Sequence, residues 1–284
     1  MKLSILIISY NQENYISKAI EGVLLQNLPF DYEVVLSDDG SKDKTVNITK
    51  DLLKNNNLKV LENNDNVGIS KNYKRGFAAC AGEYIAVLEG DDYWVDPNRI
   101  IKHINFLDNH QECVLSMNRL IKFNQAIEEF QLLPWKYKDD YQFFTSKEIA
   151  IENRLGNLSA CVFRNSSLKN LNPEIYNLNI ADWMLSLALS KFGFIAVLKE
   201  ATSVYRVHNN GEWSKLNQNI KLEQIRNNIN TYNKFYNYQY DKEFKICKKN
   251  LNPSLWYRIT RISIFEYMPP IIDLMIPKIL KNRL

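Results

Sequence analysis

Four cysteines in 284 residues, Cys80, Cys113, Cys161 and Cys247, stand far apart with no paired spacing. That argues against a disulfide framework or a zinc site and fits a reducing compartment. No apolar run is long enough to span a bilayer. The run after Lys2 is too short for a secretory signal and ends in Ser9-Tyr10-Asn11, so none is expected. There is no Gly-x-Gly-x-x-Gly after the first strand-like segment and no phosphate loop of the Gly-Lys-Ser/Thr kind. The dehydrogenase and P-loop readings therefore fail, and any nucleotide phosphate must be neutralised by side chains or metal. A basic face is also missing from the main body. From Lys245 onward there are eight Lys/Arg and two acids, leaving residues 1–244 with 28 basic and 30 acidic residues. Nucleic acid is not an expected partner.

What is present is an ordinary globular balance, 45% hydrophobic and 24% charged, enough for one large domain or a domain with an appendage. One stretch organises it, Glu83-Tyr84-Ile85-Ala86-Val87-Leu88-Glu89-Gly90-Asp91-Asp92-Tyr93-Trp94. An unbroken apolar run bounded by a turn suits a strand buried on both faces of a parallel sheet. Such a strand delivers Glu89, Asp91 and Asp92 to the carboxyl edge, where open α/β sheets bind ligands. Crowded carboxylates repel unless a cation sits among them, and hard oxygens select Mg²⁺ or Mn²⁺. The plain alternative is a solvated acidic turn.

Leu3 to Ile8 and Tyr32 to Leu36 read as further buried strands, ending in Ser9-Tyr10-Asn11 and Ser37-Asp38-Asp39-Gly40. Helical spacing follows each: Tyr15, Ile16, Ala19, Ile20, Val23 and Leu24, then about Lys44 to Lys54. A short strand over Leu58 to Leu61, a helix to about Ala79 and a helix from Pro97 to Asn109 continue the alternation. With Cys113 to Met117 as another strand, roughly the first 120 residues predict a mostly parallel sheet with helices on both faces. Three strands then bring three polar clusters to one edge, which is a site by geometry.

Beyond 120 the pattern loosens. Residues 124–144 read as a surface excursion or a flap over the site. Thr145-Ser146-Lys147-Glu148 reads as a capping box opening a helix to about Arg154. Strands are predicted at Leu158–Phe163, Ile195–Leu198 and Thr202–Val207, an apolar helix over Met184–Phe192, and a long helix over about 215–237.

Taken in order, Ile7-Ile8-Ser9-Tyr10-Asn11, Val35 to Ser41, Asn66-Val67-Gly68, Ala81 to Ile85, Leu88 to Asp92 and Ala181-Asp182-Trp183 resemble family 2 glycosyltransferases. The resemblance covers about residues 3–215. Glu-Gly-Asp-Asp-Tyr-Trp, with the later Tyr205-Arg206-Val207-His208 and Trp213-Ser214, looks like a bacterial branch of it. The resemblance implies an inverting enzyme of the α/β GT-A fold, a Rossmann-like, mostly parallel central sheet with a C-terminal helical extension. It divides the chain into a catalytic domain, 1–215, and an extension, 216–284. Within the catalytic domain, residues 1–120 would bind the nucleotide and residues 121–215 the acceptor.

The same resemblance implies a nucleotide-diphospho-sugar donor, a UDP-sugar by default, bound by Ser9, Tyr10, Asn11, Asp38, Asp39, Gly68, Lys71, Glu89 and Asp91. Asp91 or Asp92, with His208, would hold Mn²⁺ or Mg²⁺; Glu89 stands where an Asp is common, so which acids touch the ion stays open. Asp182 is the implied general base, a position that also suits a helix N-cap. A sugar-1-phosphate nucleotidyltransferase and a non-catalytic nucleotide-sugar-binding protein are the alternatives. The first is disfavoured because Ser9-Tyr10-Asn11-Gln12 is no Gly-rich basic loop.

Residues 251–284 combine Trp256, Tyr257, Ile259, Ile262, Phe265 and Met268 with basic residues at both ends. That composition suits an amphipathic segment in the headgroup region, or else a helix packed on the domain or a dimer contact. A cytoplasmic enzyme, peripheral on the inner membrane face and acting on a glycan or lipid-linked acceptor, is the expectation.

Overall fold

Alternation decides the layers. Leu3, Ile5 and Ile7 of the first strand join one apolar cluster, while Leu6 and Ile8 join the other, as the two-residue period of a strand requires. The computed structural model of the protein describes residues 1–54, 56–154, 156–178 and 182–251. Its elements run β1 (Leu3–Ser9), α1 (Ile16–Leu24), β2 (Tyr32–Asp38), α2 (Thr45–Leu52), β3 (Leu58–Glu62), α3 (Ile69–Ala79), β4 (Tyr84–Glu89), β5 (Tyr93–Trp94) and α4 (Arg99–Asn109). They continue with β6 (Cys113–Asn124), β7 (Glu129–Leu132), β8 (Tyr141–Phe144), α5 (Ser146–Ile151), a 3₁₀ turn (Leu158–Ala160), β9 (Cys161–Arg164) and α6 (Asn165–Lys169). A second 3₁₀ turn (Pro173–Asn177), α7 (Asp182–Leu189), β10 (Phe194–Val207), α8 (Gln218–Phe235) and α9 (Asp241–Asn250) complete the described chain.

The sheet order is β3-β2-β1-β4-β9-β6-β10-β5, with β7 beside β6 and β8 beside β10. Strands β3, β2, β1 and β4 are parallel, and so are β6 and β10. The register sets Ser9 beside Asp38 and Ile8 beside Glu89. The three polar clusters thus reach one edge, as expected.

Helices cover both faces. Ile16, Ala19, Ile20 and Val23 of α1, with Ile100, Ile104 and Leu107 of α4, fill one face. Tyr73 and Phe77 of α3, Trp183 of α7 and Tyr232, Phe244 and Cys247 of α8 and α9 fill the other. Each such side chain contributes roughly 2 kcal/mol on burial. Gly22 lets α1 meet the acidic motif: a Cβ there would lie 2.7 Å from the Trp94 amide nitrogen.

The second half differs from expectation in local ways. Leu158–Phe163 is not one strand. Its first three residues form a 3₁₀ turn, because Asn157 Oδ1 accepts the Ser159 N–H. Strand β9 then runs antiparallel to both β4 and β6. The strands expected at 195–198 and 202–207 are a single β10, with register shifts around Leu198–Ser203 that absorb exposed Lys199 and Glu200. Residues 124–144 contain β7 and β8, paired to β6 and β10. The capping box at Thr145 is present, but α5 stops at Ile151, with Glu152 extended. Among the described residues no helix is long and apolar enough to cross a membrane. The tail assigned to membrane contact lies outside them beyond Leu251.

Candidate active site

The first polar cluster is a closed acceptor turn. Asp38, 1% exposed, accepts from the Ser9 and Ser41 hydroxyls on Oδ2 and from the Gly40 and Ser41 N–H groups on Oδ1. Its lone pairs are filled. Asp39 accepts from Asn63 Nδ2 and the Val67 N–H on Oδ1, and from the Gly68 N–H at 2.9 Å on Oδ2. One lone pair of Asp39 remains, enough for one further donor. Gly68 enters α3 at φ +91, where a side chain would be strained. Asn11, at φ 51, caps the Lys42 N–H with its carbonyl. Tyr10 is 43% exposed beside it.

Lys71 lies on the exposed side of α3. The cation in contact with this turn is instead Arg75, one helical turn later. It donates to the Asp38 carbonyl at 2.7 Å and also bonds Asn63, Asn72 and Ser37. Helical spacing from Lys71 was the available signal for it.

The second cluster, after β4, is built differently. Glu89, Asp91 and Asp92 each offer an oxygen within 4.8 Å of the others, a geometry and donor set that fit a hard divalent cation. Glu89 accepts from the Tyr73 hydroxyl at 2.7 Å and from Asn157 Nδ2 at 3.2 Å. Burial, then the neighbouring Asp91 charge, pushes its carboxyl up to about 7. Asp92 is 1% exposed. It accepts from Asn157 Nδ2, the Ser159 hydroxyl and the Arg206 N–H at 2.8, 2.6 and 2.9 Å. Burial, with Asp91 and Glu89 close by, raises its carboxyl well above the usual range. Asp91 is the most open of the three. Among the described residues its one side-chain partner is His208, whose Nε2 stands 3.0 Å from Oδ2.

His208 is buried, its ring 4.4 Å from that of Tyr15, and its Nδ1 has no hydrogen-bond partner among the described residues. Arg206, two residues earlier on β10, donates from Nε to the Asp91 carbonyl and lies over the Tyr15 and Tyr93 rings. The sequence offered no sign of Asn157 or Ser159, which reach the acids from a loop.

Asp182 opens α7. Its Oδ1 accepts from Asn153 Nδ2 at 3.1 Å and from the Trp183 N–H at 2.7 Å. Among the described residues Oδ2 carries no hydrogen bond. Burial raises its carboxyl, partly offset by those two bonds. Asp182 lies near enough to Glu89 to push that group up further. The Tyr205 hydroxyl, raised chiefly by burial, feels all four acids. Asp182 and the carboxylate cluster thus lie within electrostatic reach of one another. Trp183, next in the chain, is held by its Nε1 donating to the Ile149 carbonyl, with its ring set edge-on to Tyr232 and Phe244.

A family profile described as Glycosyl transferase family 2 matches residues 4–171. The chain is 30% identical over 214 residues to an uncharacterized protein of Mycobacterium tuberculosis, a match covering 74% of this chain and 60% of that relative's length. It is 32% identical over 118 residues to the poly(ribitol-phosphate) beta-N-acetylglucosaminyltransferase TarS of Staphylococcus aureus, 40% of this chain and 20% of that protein. The crystal structure of TarS residues 1–349 with UDP-GlcNAc superposes with a TM-score of 0.66 at 20% identity, covering 100% of this chain and 78% of that one. The mannosyltransferase PcManGT of Pyrobaculum calidifontis, in complex with GDP-Man and Mn²⁺, superposes at 0.62 with 10% identity, over 99% and 82%. At these identities the structural likeness is one of fold, the mixed α/β GT-A architecture.

Proposed function

This chain belongs to glycosyl transferase family 2, and we propose that it moves a sugar, with inversion, from a nucleotide-diphospho-sugar to an acceptor hydroxyl. The observation that carries the reading is Asp182, a carboxylate whose Oδ2 carries no hydrogen bond among the described residues and which stands close enough to the Glu89/Asp91/Asp92 cluster to raise Glu89. In this reading the acceptor oxygen attacks the anomeric carbon as its proton passes to Asp182, and the bond from that carbon to the diphosphate breaks. A carboxyl raised by burial is a better base near neutral pH than an exposed one. A single base suffices, whereas glycoside hydrolysis needs paired acids.

Asp39, with its remaining lone pair, takes a donor from the nucleotide base, and Ser9, Tyr10, Asn11 and Lys71 line base, ribose or phosphate. Asp91, with Asp92, Glu89 and His208 beside it, would hold Mn²⁺ or Mg²⁺. Such an ion supplies charge to offset that growing on the departing diphosphate. The UDP-GlcNAc bound by TarS supports a UDP-sugar donor. Residues 1–120 form the donor half and 121–215 the acceptor half. A glycan or lipid-linked acceptor in bacterial surface polysaccharide, lipooligosaccharide or glycoprotein glycan assembly completes the reading. The Glu-Gly-Asp-Asp-Tyr-Trp motif marks the branch, and the basic tail seats the enzyme peripherally on the inner membrane face.

The test is a panel of nucleotide-sugars with Mn²⁺ or Mg²⁺, reading nucleoside diphosphate release. One donor should turn over, chelator should abolish release, and Asp182→Asn should remove it while UDP binding persists. Full turnover by Asp182→Asn would sink the base assignment, and no binding of any donor would sink the site.

A further inference from the structure

The loop joining α5 to the first 3₁₀ turn carries two asparagines that reach opposite sides of the site. Asn153 donates to Asp182 Oδ1 at 3.1 Å. Asn157, four residues on, donates both amide hydrogens of Nδ2, to Glu89 Oε2 at 3.2 Å and to Asp92 Oδ2 at 2.8 Å. Its Oδ1 accepts the Ser159 N–H at 2.6 Å, which settles which end of the amide faces the acids. Between them Gly156 turns the chain at φ +71. The near end of the loop is tied down by the Trp183 Nε1 bond to the Ile149 carbonyl. The far end is tied by Ser159, whose hydroxyl donates to Asp92 and accepts the Glu89 N–H. A surface loop with no task does not place its two amides on the base and on the carboxylate pair.

The geometry points to Asn153 and Asn157 as positioning residues, and to the loop that carries them as a strut that sets the general base against the cation-binding acids. This rests on the reading of Asp182 as base. With Oδ1 held by Asn153 and the Trp183 N–H, only Oδ2 is presented to an acceptor hydroxyl. With one amide shared between them, Glu89 and Asp92 keep a fixed separation and leave Asp91 to meet the ion. A misplacement of the base by about 1 Å is enough to cost up to about a hundredfold in rate.

The test uses the full-length chain and separates the two ends. The Asp182 carboxyl is titrated by ¹³C NMR, assigned through its loss in Asp182→Asn, and Mn²⁺ binding is followed by EPR without any sugar. Asn153→Ala should raise the Asp182 midpoint by about half a unit or more, since the lost bond favoured the charged form. Glu89, Cys161 and Tyr205, the titratable groups coupled to Asp182, stay in place, so the shift reports the missing amide. Mn²⁺ affinity should stay within roughly twofold, and kcat for the donor that turns over should fall roughly tenfold with its KM unchanged. Asn157→Ala should do the reverse, weakening Mn²⁺ roughly fivefold and leaving the Asp182 midpoint in place.

Asn153→Ser serves as the second variant should alanine fail to fold. An unmoved Asp182 midpoint, or equal loss of Mn²⁺ affinity in both variants, overturns the assignment. If the wild-type chain turns over no nucleotide-sugar, the transferase reading falls, while the titration still decides the role of Asn153.

Discussion

Two Asp-Asp pairs end parallel strands of this sheet, Asp38-Asp39 on β2 and Asp91-Asp92 after β4, and their surroundings are opposite. Around Asp38 and Asp39, seven hydrogen bonds from backbone and side-chain donors meet the two carboxylates. Around Asp91 and Asp92 a third acid, Glu89, is added, and Asp91 has a single side-chain partner among the described residues. The same dipeptide at the same edge is nearly saturated with donors in one place and crowded by a third carboxylate in the other.

The sharpest break between the pairs is in rate. Asp91→Asn should cut transfer by about a thousandfold, as expected for several kcal/mol of lost charge stabilisation, with the urea midpoint nearly unmoved. Asp38→Ala should show the other signature, losing on the order of 3 kcal/mol in urea unfolding, because four donors are left in the turn without an acceptor. An Asp38→Ala chain of wild-type stability would erase the distinction.

Glu89→Gln sharpens it further through pH. Glu89, raised to about 7 from an ordinary 4.5, is protonated in the folded chain while ionised in the unfolded one across that window. Folded stability therefore falls as pH rises from about 4.5 to 7, and the full cost is present above 7. The amide oxygen can accept from Asn157 Nδ2 while its NH2 donates to the Tyr73 hydroxyl oxygen, so Glu89→Gln should stabilise the metal-free chain by on the order of 1 kcal/mol at pH 8. At pH 4, below both values, it should change nothing, and equal gains at both would refute the crowding argument. The smallest effect belongs to Lys71 on α3, in contrast to its neighbour Arg75. Lys71→Met should leave unfolding within about 0.5 kcal/mol while weakening UDP about threefold. Arg75→Met should cost about 1–2 kcal/mol of stability.

Much of residues 1–120 was legible because its strands are unbroken apolar runs that stop at polar turns. Leu3–Ile8 and Tyr84–Leu88 need no partner to be recognised, and helical crossovers between them make the strands parallel, which puts their carboxyl ends on one edge. Residues 121–215 were less so. Cys161-Val162-Phe163 reads as a strand, but nothing in three apolar residues encodes that it runs against both neighbours. Lys199 and Glu200 read as a break between two strands and are an exposed irregularity within one. Asp182 was found by resemblance, since an acid before an apolar helix is equally a cap. Asn153 and Asn157 carry no signal in the sequence, and Arg206 shows only as part of Tyr205-Arg206-Val207-His208, because their contacts exist only where segments distant in sequence meet. Arg75, one helical turn beyond Lys71, bonds the Asp38 turn through partners that only the folded chain brings to it.

The completion of the second Asp-Asp pair has a consequence in time. Asn157, Ser159, Arg206 and His208 lie 65, 67, 114 and 117 residues downstream of the acids they touch. As the nascent chain emerges, Glu89, Asp91 and Asp92 are made early and stay hydrated while the parallel strands β1 to β4 assemble around them. Only when β9 and β10 dock are Glu89 and Asp92 withdrawn from water, which raises their carboxyls, while Asn157, Ser159 and the Arg206 N–H offset part of that rise. The electrostatic penalty of the site is thereby deferred to the latest, most non-local step of folding. A proton or a divalent cation present at that moment lowers the barrier, so refolding of the full chain should quicken in Mn²⁺ and slow as the pH is raised past 7.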